Sequence, residues 1–316
     1  MPPPDDLMVD QPQPQSAIGV DIGGTKCAAG LVRLDEGRVI ARREEATRPE
    51  RGGVAVLDDV IALVESLRVE AKQQSVQPSS IGIGICELVS RDGRVLSEAT
   101  VRWRDPRICE RLAVMSLPVS LHADVRAAAR AEALYGAGRD CHSFVYVTVG
   151  TGISACFVME GEPYAGARGL TGTFASSSGL IPGNDGQLHA GPPLESFASG
   201  PALAARLAQA RPEFQGAATE VLRLAASEDL VARNIVASAG AALGAAIANL
   251  VNILDPETVV IGGGLGLAAG LYRESIEVSL RGHVWSEFHR DLKIMSAQLG
   301  NDAGIVGAAA LGNLHR

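Results

Sequence analysis

Ile18-Gly19-Val20-Asp21-Ile22-Gly23-Gly24-Thr25-Lys26-Cys27-Ala28-Ala29-Gly30-Leu31-Val32 decides how this chain reads. Val20 and Ile22 fit a buried strand, and Ala28 to Val32 fit a second strand returning beside it. Gly23 and Gly24 leave out Cβ atoms where the backbone bends. A turn of this kind presents backbone N–H groups to an anion, with phosphate the natural candidate. Thr25 and Lys26 add a hydroxyl and an amine. Asp21 lies one residue before the bend, where a carboxylate can hold a hydrated Mg²⁺ against that phosphate. The same residues also fit an ordinary hairpin with a Gly-Gly turn. They do not fit a Walker A loop, which needs a longer spacer and Gly-Lys-Ser/Thr. Nor do they fit the dinucleotide fingerprint, which needs a helix after the turn.

Working outward, Arg38 to Arg43 alternates as a third strand, and residues 53–73 have helical spacing. Ile81 to Cys86 is a strand with alternate glycines, suited to close packing on one face. Arg107 to Val114 reads as a short helix and Pro118 to Leu121 as a strand. A helix follows from Val125 to Tyr135. Asp124 thus stands where a strand passes into a helix, a place where open α/β sheets bind ligands. The position equally suits a helix N-cap.

A partial repeat comes next. Phe144 to Val158 is again strand, glycine turn and strand, with Gly150-Thr151-Gly152 at the bend. Similar units in two halves suggest two related domains with their turns converging on a polyphosphate. Residues 165–193 read as a long loop or a pair of short strands, and loops of that length are usually functional. Helices are expected over 201–209, 219–226 and 228–253. The Ala/Leu/Ile/Gly-rich part of the last should be buried. Val259-Val260-Ile261 is a buried strand ending at Gly262-Gly263-Gly264, where a flat ring or a phosphate can approach the backbone. A helix over 271–280 and a strand over 292–297 precede a final helix capped by Asn301-Asp302-Ala303-Gly304.

Composition bounds the function. The chain has 316 residues, 47% hydrophobic and 20% charged, enough for two globular domains. A net charge of -8 argues against nucleic acid as a partner. The five cysteines are scattered with no C-x-x-C pair, as expected of free thiols in a reducing compartment. Residues 1–15, rich in Pro, Gln and Asp, read as a disordered tail rather than a signal peptide. No run of roughly 20 apolar residues is apparent. A cytoplasmic location follows.

Taken together, these motifs resemble the ROK family of sugar kinases. Asp21-Ile22-Gly23-Gly24-Thr25-Lys26 resembles its first phosphate motif and Gly150-Thr151-Gly152 its second. Asn252 to Pro256 with Gly262-Gly263-Gly264 is similar to its adenosine segment. Leu194 to Pro201 is similar to the stretch after its zinc loop, and Asn301 to Gly304 to its closing helix. The resemblance runs from residue 16 to the end. It implies an α/β actin/hexokinase-like (ribonuclease H-like) fold with an ATP cleft between two lobes. The smaller lobe would span residues 16–122 with the final helix, 303–316, and the larger 123–302. A homodimer is the expected assembly. ATP and Mg²⁺ are the implied cofactors, and Asp124 falls on the catalytic aspartate.

The departures bear on the acceptor. Around that aspartate the family reads Glu-Asn-Asp-Ala-Asn, where this chain has His122-Ala123-Asp124-Val125-Arg126. The family's Glu-x-Gly-His motif falls on Thr173-Phe174-Ala175-Ser176. Its cysteine-rich zinc loop falls on Gly186 to Pro193, which has no cysteine, so no zinc is expected. The phosphate apparatus is kept and the sugar grip rebuilt, with Arg126, Thr173 and Ser176 as candidate acceptor contacts and Glu195 supporting them. Sites built for particular hydroxyls discriminate strongly. The expected acceptor is therefore a primary hydroxyl of a sugar-like polyol, with a C7 cyclitol of the 2-epi-5-epi-valiolone type favoured. The alternatives are a conventional glucokinase or N-acylhexosamine kinase, and a ligand sensor without catalysis.

Overall fold

The computed structural model describes residues 15–103 and 107–313. Apart from Gln15, the tail expected over residues 1–15 lies outside them. The chain opens with a meander of β1 (Ser16–Ile22), β2 (Lys26–Arg33) and β3 (Arg38–Ala46). Helix α1 (Gly53–Gln73) crosses to β4 (Pro78–Ile85), which runs parallel to β1. Short α2 (Ile108–Ala113) leads to β5 (Val119–Ala123), parallel to β4. The sheet order is β3-β2-β1-β4-β5.

Helix α3 (Asp124–Tyr135) carries the chain into a second sheet. It opens with a second antiparallel meander, β6 (Ser143–Val149), β7 (Ile153–Met159) and β8 (Glu162–Pro163). Strands β9 (Ser178–Pro182) and β10 (Leu188–Pro193) pair with each other inside the expected long loop. Then come α4 (Glu195–Ala198), α5 (Gly200–Ala210), α6 (Ala218–Ala226) and α7 (Leu230–Leu254). β11 (Thr258–Gly262) returns parallel to β6. Helix α8 (Leu271–His283) leads to β12 (Lys293–Ser296), parallel to β11, and α9 (Ala303–Gly312) follows. The second sheet runs β12-β11-β6-β7-β8. Each sheet is thus a three-strand meander followed by two parallel strands on the far side of its first strand. The glycine turns at residues 23–25 and 150–152 occupy the same place in both.

Two apolar cores hold the sheets. Ile18, Val20 and Ile22 pack with Val56, Val60 and Leu63 of α1. Val145, Val147 and Val259 pack with Leu243, Ile247 and Val251 of α7. Helix α7 amends the sequence reading, because it is long and apolar enough by composition to cross a membrane. Half of its most apolar window is buried within the protein.

Helix α9 is buried along its whole length and returns to the first sheet, packing on β1 and β4. Small residues permit this. A Cβ added at Gly82 would overlap the Ala308 carbonyl, and one at Gly307 would overlap that of Ala127 in α3. Helices α3 and α9 therefore meet backbone to backbone, one carrying Asp124 at its start and the other starting beside Asp21.

Candidate active site

The first turn is short and braced. Gly23 donates its N–H to the Lys26 carbonyl at 3.0 Å, and the Thr47 hydroxyl donates to the Gly23 carbonyl at 2.6 Å. Thr25 and Lys26 are exposed, and the Lys26 ammonium lies 3.2 Å from Glu44. Asp21 points at the start of α9, where a Cβ on Gly304 would sit 2.5 Å from its Oδ2. A helix N-terminus favours a negative charge. Burial nevertheless raises the Asp21 carboxyl to about 6, against the opposing pull of Lys26 and Arg42.

Strand register brings the second carboxylate alongside. Asp21 pairs with Gly84, and Gly84 with His122. The parallel ends of β1, β4 and β5 therefore line up, and the Asp124 Cα comes within 3.5 Å of where a Gly84 Cβ would be. Asp124 is not the N-cap: Ala123 holds that position, and Asp124 is the first helical residue. Its Oδ1 accepts the Val125 N–H at 2.6 Å. Burial raises its carboxyl to about 7, the charges of Asp21 and Glu87 add to this, and the Val125 N–H opposes it. A carboxyl poised near neutrality suits a general base.

The second turn gathers three segments. Gly150 donates to the Gly152 carbonyl and accepts from the Gly200 N–H, both at 2.9 Å. The Val149 carbonyl accepts from Leu265 at 3.0 Å and Gly266 at 3.1 Å, so the 262–264 glycines are pinned beside it. Gly263, at φ 79°, has a conformation and a contact with Val149 that admit no side chain. Gly262 faces the Tyr146 hydroxyl. Gly150 and Gly264 differ: neither has positive φ, and no atom lies within 4 Å of where their Cβ would stand. The fold itself does not need glycine at either place, and open space lies beside both. Thr151 is exposed next to it.

Glu195 ties the candidate acceptor segment to this turn. Its Oε2 accepts the Ile153 N–H at 2.7 Å, and its own N–H donates to the Ala175 carbonyl at 3.0 Å. Thr173 and Ser176 are exposed and joined by a Ser176 N–H to Thr173 carbonyl bond of 3.0 Å. Arg126 is placed otherwise than an open acceptor contact. It is 5% exposed and donates through Nη2 to the Val89 carbonyl at 2.7 Å.

Two buried carboxylates that brace the site's surroundings, Glu87 and Glu132, escaped the sequence reading. Glu132, fully buried in α3, accepts N–H groups from Ala137, Gln298 and Leu299 at 2.8–3.1 Å. It fastens the segment entering α9 to the helix that begins at Asp124. A lone glutamate in an alanine-rich helix was the available signal.

Residues 17–314 match the ROK family, and the chain belongs to it. It is 34% identical over 313 residues to the bifunctional enzyme NanE/NanK of Brucella melitensis, covering 97% of this chain. It spans only 56% of that longer enzyme. It is 31% identical to the glucokinase of Streptomyces coelicolor, over 93% of this chain and 96% of the relative. Among solved structures, a ROK glucokinase from Streptomyces griseus in complex with glucose and AMPPNP superposes with TM-score 0.81 and 28% identity. The match covers 95% of this chain and 99% of that one. The ROK hexokinase of Thermus thermophilus gives 0.78 at 30% identity, over 95% and 98%. The mixed α/β two-sheet fold is that of the ROK sugar kinases, which are actin/hexokinase-like ATPases. These relatives are phosphotransferases acting on sugar hydroxyls.

Proposed function

We propose that the protein is an ATP-dependent kinase that phosphorylates a primary hydroxyl of a sugar-like polyol. The observation that carries this reading is Asp124, a raised carboxyl at a strand–helix junction beside Asp21 and the first glycine turn. Asp124 would take the proton from the acceptor hydroxyl and aim its oxygen at the γ-phosphoryl group. The turns at 23–26 and 150–152 would hold the phosphates, and Gly262 to Gly264 the adenosine. Phosphoryl transfer asks for little beyond such positioning and charge neutralisation. Asp21 fits a hydrated Mg²⁺, since its buried charge opposes that of Asp124 and a divalent cation would relieve both. When bound, that ion supplies neutralisation of the phosphate charge.

A consequence concerns the two glycines beside open space. Gly150→Ala and Gly264→Ala should leave the melting temperature unchanged while weakening AMPPNP binding by about tenfold or more, through collision with the nucleotide. Calorimetric titration of each variant measures this. Undiminished affinity in both would place the nucleotide elsewhere.

For the acceptor, we favour a C7 cyclitol of the 2-epi-5-epi-valiolone type. The support is chemical: Ala123 and Thr173 to Ser176 stand where the family places its sugar-binding groups. The second reading, a glucokinase or N-acetylmannosamine kinase, is favoured by the identity of the relatives, among them the N-acetylmannosamine kinase of Salmonella paratyphi A at 31% identity over 94% of this chain. ADP release with 2-epi-5-epi-valiolone, glucose and N-acetylmannosamine separates the two. Preference for the cyclitol supports the first, and efficient turnover of either hexose alone supports the second. Nucleotide binding with no turnover of any acceptor would leave a ligand sensor.

A further inference from the structure

Glu87 follows β4 and is 5% exposed. Carboxylates so deep are normally paired with a cation. Among the described residues, this one collects backbone donors and a hydroxyl. Oε2 accepts the Ala99 N–H at 2.9 Å, and Oε1 accepts those of Thr100 at 2.7 Å and Val101 at 3.0 Å. The Ser97 hydroxyl donates to Oε2 while accepting the Leu88 N–H at 2.9 Å. Four donors from one short segment thus converge on a single buried charge.

That segment also reaches the first glycine turn. The Thr100 methyl stands against the first glycine turn, 2.8 Å from where a Gly24 Cβ would be. The Cys86 thiol lies beside Thr100, and burial first and the charge of Asp124 second oppose its ionisation. Glu87 itself is close enough that its charge opposes ionisation of Asp124. Residues 97–101 therefore hang from Glu87 against the first turn, with the Glu87 charge near enough to be felt by Asp124.

We propose that Glu87 is a positioning residue, and that the segment it gathers, residues 97–101, is the wall that fixes the acceptor hydroxyl between the first glycine turn and Asp124. This rests on the kinase reading. The wall meets the phosphate turn at residues 23–26 through the Thr100 methyl alone, an apolar contact and not a hydrogen bond, so its loosening should be felt more by the acceptor than by ATP. A glutamine at position 87 keeps the size of the side chain. Its amide nitrogen cannot accept, so one oxygen's worth of N–H bonds is lost along with the charge.

The test compares wild type, Glu87→Gln and Ser97→Ala in steady state, with ATP and with 2-epi-5-epi-valiolone or glucose as acceptor. Amide hydrogen exchange over residues 97–101 is followed in parallel. Glu87→Gln should raise the acceptor KM by about tenfold to hundredfold, the equivalent of a lost charge-assisted bond, and change the KM for ATP far less. Exchange at Ala99, Thr100 and Val101 should quicken. Ser97→Ala, which removes one partner and keeps the carboxylate, should show a smaller change in the same direction, and carries the test if Glu87→Gln does not fold. An active wild type whose variants keep the acceptor KM, or in which both KM values rise together, overturns the positioning role alone. A wild type inactive on every acceptor overturns the kinase reading and this role with it.

Discussion

Asp124→Asn should slow phosphoryl transfer by orders of magnitude and at the same time raise the melting temperature at pH 8. The two effects have one cause. The carboxyl belongs to a site where burial and the charge of Asp21 oppose ionisation, lifting it from the ordinary 3.8 to about 7. Below pH 4 it is protonated in the folded and unfolded chain alike, and its contribution to stability is fully present. Between about pH 4 and 7 the unfolded chain gives up its proton first, so stability falls as pH rises. Above 7 the folded protein carries the whole cost of a buried charge. Asparagine removes that charge while its carbonyl oxygen can keep the Val125 N–H bond. Thermal melts of both proteins from pH 4 to 8 should therefore diverge upward for the variant as pH rises. Catalysis loses its base, and kcat should drop by about 10²- to 10⁴-fold. A variant with near-wild-type kcat would remove Asp124 from the base role, and parallel melting curves would remove the buried charge.

Gly307→Ala should be among the most damaging additions of a single methyl group to the described residues. In most overpacked cores a side chain can step aside, at a cost of about 1–3 kcal/mol. Here the added Cβ would overlap the Ala127 carbonyl, a backbone atom in the helix that Asp124 begins. Helices α3 and α9 would have to separate, and α9 has no exposed side to move toward, being buried throughout. The cost should lie at or above the upper end of that range. A fall in melting temperature of several degrees follows, about 2–4 °C per kcal/mol for a domain of 150–250 residues. Because Ala127 lies one helical turn from Asp124, kcat should fall as well. Gly282→Ala in α8 is the control, since nothing lies within 4 Å of its would-be Cβ. It should melt at or slightly above the wild-type temperature, alanine being the better helix former. Equal melting of Gly307→Ala and wild type would contradict the α3–α9 contact.

Much of this was legible in the sequence because the relevant signals are local. A buried strand, a glycine turn and a returning strand announce themselves within fifteen residues. The same pattern 127 positions later, from Gly23 to Gly150, marked the repeat that the two sheets share. Asp124 was visible at the strand–helix junction, although the structure makes it the first helical residue and not the cap. The harder parts depend on distant backbone. Glu132 takes its meaning from N–H groups 166 and 167 residues away. Glu87 takes its own from a segment with no periodic pattern. Arg126 was a candidate acceptor contact because it closes the motif around Asp124 that departs from the family's pattern. Helical geometry turns residues two apart to different faces, and the guanidinium reaches Val89 instead. Glu195, read as support for the acceptor, braces the second glycine turn through its carboxylate on Ile153, and it reaches the candidate acceptor segment by a backbone bond to Ala175.

The most direct test is a crystal structure with AMPPNP and Mg²⁺. The account predicts a triphosphate lying between the turn at residues 23–26 and the turn at residues 150–152, with the Asp124 carboxylate facing its terminal phosphate. A triphosphate bound clear of either turn, or an Asp124 side chain directed away from it, would contradict the account.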